Sequence, residues 1–362
     1  MRFEDLSAGA AAALLSLLLL PLAPPVAAEW RVEPLYGGEV RSLAFAPEDP
    51  DLVLAGTSAG QVYRSRDGGR TWGPPGRSFP LPGWTVASLH FDENDPGRLW
   101  AGLRGVWGGG AVVRSDDFGT TWETVTRRRD GVFVLRTVRG RPGTLVLGTD
   151  SGVWIRRNVG GEWEHSSRGV PGLVEVSSLL VDSEDPLRIL AGTFRRAFRS
   201  DDGGRTWRGV FDGMRLDTQL FSLQEVPGKR DTYWASTCGW VYRSEDGGLT
   251  WKRFRDGLAQ RRTPGFQALS GGRLLAGTVA GIYLSDDDGQ TWSLTTRNDL
   301  SIHALAHHPR RPEIVLAGTE GSGVWRSEDG GTTFRPASRG LTAPRVGALA
   351  AGPGTLRAAV VH

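Results

Sequence analysis

SDDGGRTW, residues 200–207, is rewritten along the chain as SRDGGRTW at 65–72, SDDFGTTW at 115–122, SEDGGLTW at 244–251, SDDDGQTW at 285–292 and SEDGGTTF at 327–334. The octapeptide combines a hydroxyl, a carboxylate, glycine, threonine and an aromatic ring. This is turn chemistry: aspartate accepts bonds from backbone amides a few residues on, glycine takes positive φ at no steric cost, and threonine adds a second side-chain bond. The third residues of the copies are Asp67, Asp117, Asp202, Asp246, Asp287 and Asp329. A degenerate copy, RRNVGGEW at 156–163, fills the one long gap with Asn158 in the acidic place. Successive copies then lie 41 to 50 residues apart. That is the period of four-stranded propeller blades and too long for leucine-rich or ankyrin repeats.

Between the octapeptides the chain reads as short strands. VRSLAFAP, DLVLAGT and GQVYRS precede one copy, VSSLLVD, RILAGT and RAFRS another, and IHALAHHP, EIVLAGT and GVWRS a third. No segment outside the N-terminal leader has helical periodicity of useful length. The class is all-β, and the expected architecture is a single β-propeller of four-stranded blades with the octapeptide at the turn between third and fourth strands. Seven repeats are complete. An eighth is expected to be split, with Trp30 to Leu35 giving its fourth strand and Val346 to Val361 its first two, so eight blades are favoured over seven.

A chemical role for the octapeptide is disfavoured by its repetition. A catalytic group is needed once, whereas this carboxylate occurs once per blade. Calcium is disfavoured too, because SDDDGQT at 285 lacks the alternating ligands and distal glutamate of an EF-hand loop.

The chain has 362 residues, 39% of them hydrophobic, and a formal net charge of +3, which describes a foldable globular protein. Residues 1–28 hold an apolar run from Ala8 to Ala23 followed by Val26-Ala27-Ala28, the pattern of a cleaved export signal. The mature chain is therefore expected to be residues 29–362, periplasmic or secreted, with no membrane insertion after cleavage. Cys238 is the single cysteine. One thiol supports neither an internal disulfide nor a cysteine cluster for zinc.

Ser-x-Asp-x-Gly-x-Thr-Trp repeated on this strand pattern resembles the Asp-box or BNR repeat of sialidases, sortilin-type receptors, two-domain xyloglucan-active glucanases and the photosystem II stability and assembly factor family. The resemblance covers essentially all of residues 29 to 362. It implies the propeller strongly and a particular function weakly, since those families share the turn and little else. The nearest string to the sialidase Phe-Arg-Ile-Pro signature is Phe334-Arg335-Pro336, which lacks the isoleucine. The glucanases need two facing propellers. A compact single propeller resembles the assembly-factor family most.

Other chemistry is thin. His307-His308 cannot be a metal pair from one strand, because adjacent residues point to opposite faces. Both are expected at the surface, and no metal, cofactor or catalytic residue is predicted. The informative feature is arginine: 41 against two lysines, Lys229 and Lys252. On the face opposite the octapeptides, formed by the fourth-to-first and second-to-third connections, fall Arg104, Arg127, Arg128, Arg129, Arg195, Arg196, Arg261 and Arg262. Trp84, Trp107, Phe194 and Trp240 lie among them. This predicts a non-enzymatic scaffold gripping an acidic peptide or protein segment, with an acidic glycan as the second ligand class and no nucleic acid. The alternative is a glycan-active hydrolase or lyase drawing carboxylates from Asp212, Asp217 and Asp256.

Overall fold

The computed structural model describes residues 37–75, 83–215, 219–238, 240–254, 258, 262–343, 345–352 and 355–361. Seven sheets stand around a central channel. Their innermost strands are Val40–Phe45, Thr85–Asp92, Val132–Thr137, Val176–Val181, Leu220–Glu225, Gly265–Ala268 and Ile302–His307. In the third blade Leu145–Thr149, Gly152–Arg156 and Glu164–His165 follow outward, each antiparallel to the last. The first blade has three assigned strands, and a bond from Gly73 N to Arg64 O at 2.8 Å marks where a fourth would run.

The second strand of each blade is sandwiched between neighbouring blades, so it must be apolar along its length. VLAGT at 53–57, ILAGT at 189–193, LLAGT at 274–278 and VLAGT at 315–319 are buried at every residue. Their glycine is a socket. A Cβ on Gly56 would lie 2.5 Å from Val86 Cγ1, one on Gly102 2.8 Å from Val132 Cγ1, and one on Gly148 2.7 Å from Val176 Cγ1. Gly192 meets Leu220 Cβ at 2.7 Å and Gly277 meets Ile302 Cγ2 at 2.5 Å in the same way. Each knob comes from the innermost strand of the following blade. Between the fifth and sixth blades a hydrogen bond from Ser236 Oγ to Thr263 O, 2.9 Å, takes the place of the knob.

The last socket settles the number of blades. A Cβ on Gly318, in the seventh blade, would lie 2.7 Å from Cγ1 of Val40, in the first. Trp72 Nε1 donates to Ala337 O at 2.8 Å and Arg326 Nε to Gly68 O at 2.9 Å across the same seam. Gly37–Gly38 pairs in parallel with Thr342–Ala343. The ring therefore closes with seven blades, and the favoured eighth is not formed: Val40 already fills the position a further blade would take. Arg345–Gly352 and Thr355–Val361 pair with each other as a separate hairpin. Trp30 to Leu35 lie outside the described residues.

The Asp-box performs the turn it was read for. Thr206 Oγ1 donates to Asp202 Oδ2 at 2.6 Å, and the amides of Arg205 and Thr206 donate to Oδ1 at 2.8 and 2.9 Å. Ser200 Oγ donates to Oδ1 at 2.8 Å and accepts from Gly204 N at 2.8 Å. The threonine bonds recur at Asp67, Asp117, Asp246, Asp287 and Asp329. Burial opposes ionisation of Asp202, but the bonds from Thr206, Ser200 and Arg205 prevail and bring its pKa to about 2. Asp246 falls to about 2 by the same balance, and Asp287 to about 2 through its bonds from Thr291 and Ser285.

Candidate functional site

The arginines of the ring are held in two ways, by carboxylates and by aromatic rings. On the box face several are ion-paired, Arg98 with Asp116 at 2.7 Å, Arg157 with Glu164 at 3.0 Å, Arg208 with Asp201 at 2.8 Å and Arg273 with Asp286 at 2.6 Å, while Arg156 lies over Trp100 and Trp163 with no ion pair among the described residues. On the opposite face Arg128 and Arg297 pair with Asp130 and Asp299, and five others rest on aromatic rings without an ion pair. The guanidinium carbon of Arg104 lies 4.6 Å from the Phe133 centroid, Arg196 5.1 Å from Phe211, and Arg262 5.7 Å from Phe221. Arg253 and Arg215 both cover Trp240, at 4.3 and 5.7 Å. None of these five makes an ion pair among the described residues. Stacking fixes the plane of the guanidinium and leaves its edge of N–H donors free for a planar anion.

The remaining predicted site residues divide. Arg127, Arg129 and Arg195 are exposed. Arg128 is committed: it pairs with Asp130 at 3.0 Å with only 8% of its side chain accessible, and lies 4.1 Å from the ring of Trp154. Trp154 is stacked in turn on His165, centroids 4.5 Å apart. Trp107 is 98% exposed beside Val106, at the tip of the loop after Arg104. Arg261 lies outside the described residues.

The structure adds a channel mouth that had not been singled out. Immediately after the knob residues Val40, Val132, Leu220 and Ile302 come Arg41, Phe133, Phe221 and His303, at equivalent positions on four innermost strands. Arg41 Nη1 approaches His303 Nδ1 at 3.3 Å and pairs with Glu39. Burial, then the charge of Arg41, hold the His303 pKa down to about 4, so the ring is neutral at pH 7, and the Arg262 charge acts on it in the same direction. Phe133 meets Phe194 edge-on at 5.7 Å. Arg104, Arg41 and Arg262 are thus delivered by different blades to one opening. Stacking the repeats on their first strands would have exposed this set, because the mouth position follows a recognisable apolar knob.

The other candidates do not converge. Neither histidine of the His307-His308 pair is a surface residue as expected. His308 is 2% exposed, and its Nδ1 accepts the amides of Arg310 and Arg311 at 3.1 and 2.9 Å, while His307 is half-buried. Asp212 is exposed, and its carbonyl accepts Trp251 N at 2.9 Å between two blades. Asp217 and Asp256 lie outside the described residues. Among the described residues no cluster of three or more histidine, cysteine, aspartate or glutamate side chains could hold a metal ion, and no helix is long and apolar enough to cross a membrane.

The BNR/Asp-box repeat model matches residues 283–294. A xyloglucanase from Paenibacillus sp is 27% identical over 213 residues, which is 47% of this chain and 20% of that protein. The chain thus spans about a fifth of that relative's length. Among solved structures, the GH74 enzyme of Niastella koreensis superposes with a TM-score of 0.71 at 17% identity, over 90% of this chain and 58% of that one. YCF48 from Cyanidioschyzon merolae gives 0.62 at 13% identity, over 82% and 97%. A structure of YCF48 bound to D1 peptide gives 0.61 at 15% identity, over 82% and 95%. At these identities the structural likeness establishes the fold alone.

Proposed function

We propose that this Asp-box β-propeller is an exported, non-enzymatic binding protein that holds an acidic peptide or protein segment on its arginine and aromatic face. The observation that carries the reading is a group of five cations on the face opposite the boxes, Arg104, Arg196, Arg215, Arg253 and Arg262, each braced on an aromatic ring with no ion pair among the described residues. A folded protein that keeps cations oriented and unpaired presents them to an external anion. That a structurally similar propeller is seen with a bound peptide supports a peptide-sized partner.

The test is capture of partners from the native extracellular or periplasmic fraction, followed by titration of the captured segment against salt. Binding should weaken steeply as the Debye length shrinks from about 10 Å at 0.1 M to about 3 Å at 1 M. Salt-indifferent binding would sink the reading. Export is tested by N-terminal sequencing, which should begin at Glu29.

The likeness to xyloglucanases favours a second reading, glycan hydrolysis. Such a reaction needs two carboxyl groups about 5 Å apart for retention or about 6.5–9.5 Å for inversion. Release of reducing ends from xyloglucan by the purified chain would establish it.

A further inference from the structure

Below its mouth the channel contains a level at which most of the unspent hydrogen-bonding groups are donors. His90, Arg136, Gln224 and Gln267 hold equivalent positions on four innermost strands, paired with Trp100, Val146, Trp234 and Leu275 of their second strands. In the other three blades this position is alanine or leucine. His90 and Arg136 are packed round by protein and yet keep some solvent contact, as residues lining a narrow channel must.

Arg136 Nη1 donates to its own neighbour, Leu135 O, at 2.8 Å, and no carboxylate comes within ion-pair distance of it among the described residues. A guanidinium has five N–H donors, so four are uncommitted. Gln267 Nε2 donates to Gln224 Oε1 at 3.1 Å and to Ala268 O at 3.2 Å, which leaves the amide N–H groups of Gln224 as donors and Gln267 Oε1 as an acceptor. His90 Nε2 is engaged with Thr137 Oγ1 at 2.9 Å. Burial lowers the pKa of Arg136 against the opposing charge of Glu93, and burial with the Arg136 charge holds His90 neutral, at about 3.

The charges beyond this level give the channel a direction. At the box-side end Glu93 is held by Arg139 at 3.0 Å, and Glu225 accepts Ser183 N at 2.6 Å. Arg104 and Arg262 stand at the other end, with Arg41 paired to Glu39 beside them. An anion is therefore drawn in from the arginine face and stopped before the glutamates.

We propose that the channel is a carboxylate-binding site, with Arg136 as its anchor and Gln224 as a second donor, filled from the arginine face. Two sources share this chemistry: a free small carboxylate, and the terminal carboxylate of a peptide lying on that face. The site stands independently of the peptide reading, since it requires only the channel.

The test is calorimetric titration of the full chain with succinate, with a glycine-rich hexapeptide bearing a free C-terminal carboxylate, and with its C-terminal amide, all at matched ionic strength. The side-chain 15N resonance of Arg136 is followed in parallel. We expect succinate, the acid peptide or both to bind and move that resonance, the amide to bind at least tenfold more weakly than the acid, and Arg136→Gln to lose at least tenfold in affinity. Should Arg136→Gln fail to fold, the resonance in the unmodified chain decides. A resonance unmoved by both carboxylates, or binding that survives Arg136→Gln unchanged in a folded protein, overturns the proposal. Loss of acidic-segment binding on charge reversal of Arg262 alone, with succinate binding intact, would separate the face from the channel.

Discussion

Gly318 and Val40, at opposite ends of the ring's chain, close it by steric fit: the strand glycine of the seventh blade leaves a hollow, and Cγ1 of Val40 stands 2.7 Å from where a Cβ would be. The neighbouring backbone is close as well, with Val40 O at 2.9 Å from the same point. Gly318→Ala should therefore destabilise by about 1–3 kcal/mol, the cost of overpacking a well-filled core. Gly73→Ala, whose nearest contact would be Arg64 O at 3.5 Å, should be within about 0.5 kcal/mol of neutral. Equal midpoints for the two variants in urea would mean the seam is loose and the closure misassigned.

Two boxes carry a non-glycine residue where four carry glycine in a left-handed conformation. Phe118 has φ 56° and Asp288 φ 58°, against 68° at Gly68 and 71° at Gly203. Such a conformation costs an L-residue roughly 1–2 kcal/mol. Phe118 is 39% exposed and gives up little packing, so Phe118→Gly should raise stability by up to about 1 kcal/mol. Asp288 also receives Arg243 at 2.5 Å and Lys229 at 3.1 Å, and Asp288→Gly should show no gain. Thermal unfolding of the two variants side by side decides, and a gain in Asp288→Gly alone would refute the argument.

Repetition made most of the fold legible. A turn that recurs with its flanking strands identifies the blade, and the aspartate's reach of three and four residues, to Arg205 and Thr206, is local chemistry that any one copy displays. Ring closure is a different kind of fact. Whether Val40 seats on Gly318 or on a further blade depends on a contact between the two ends of the chain, and nothing local distinguishes the cases. The site divides on the same line. Arg128 and Arg262 look alike in a list of loop arginines, yet one has an acid two residues away at Asp130 and the other a ring from another strand, Phe221. Arg136 carries no local signal, because an arginine inside a strand is indistinguishable in sequence from one at a solvated edge until the strand is known to line the channel.

Acid should unfold this protein in two stages. The folded pKa values of His90 and His303, about 3 and about 4, lie below the ordinary 6.5. Below that ordinary value the unfolded chain takes up protons that the folded one refuses, so stability falls as pH drops from there toward about 4. The carboxyls of Asp202 and Asp246, at about 2, lie below their ordinary 3.8. Their stabilisation is complete above the ordinary value and is lost as pH falls from there through about 2. Each fully linked proton contributes a slope of about 1.4 kcal/mol per pH unit. Urea midpoints between pH 7.5 and 3 should show both stages, with His90→Gln flattening the upper and Asp202→Ala the lower. A midpoint constant from pH 7 to 4.5 would exclude the histidine stage.

Arginine substitutions should separate the ring-braced cations from the acid-paired one. Among the described residues neither Arg262, over Phe221, nor Arg104, over Phe133, has an acid partner, so charge reversal at both changes the face potential without stranding a buried acid there. Binding of an acidic segment should fall at least tenfold in Arg104→Glu with Arg262→Glu, and the melting temperature should stay within a few degrees. Arg128 behaves oppositely. Its removal leaves Asp130 half-enclosed with the side chains of Ser151, at 2.5 Å, and Thr149 as donors, and uncovers one face of Trp154. Arg128→Gln should therefore lower stability by about 1–3 kcal/mol, the cost of a broken charge-assisted bond in a partly desolvated setting, and affect binding only to the extent that the fold loosens. The measurement is a pair of numbers for each variant, affinity for the captured segment and midpoint of unfolding. If Arg128→Gln abolishes binding at an unchanged midpoint while the double reversal is silent, the ligand contacts the third blade directly and the ring-braced arginines are a solvated surface.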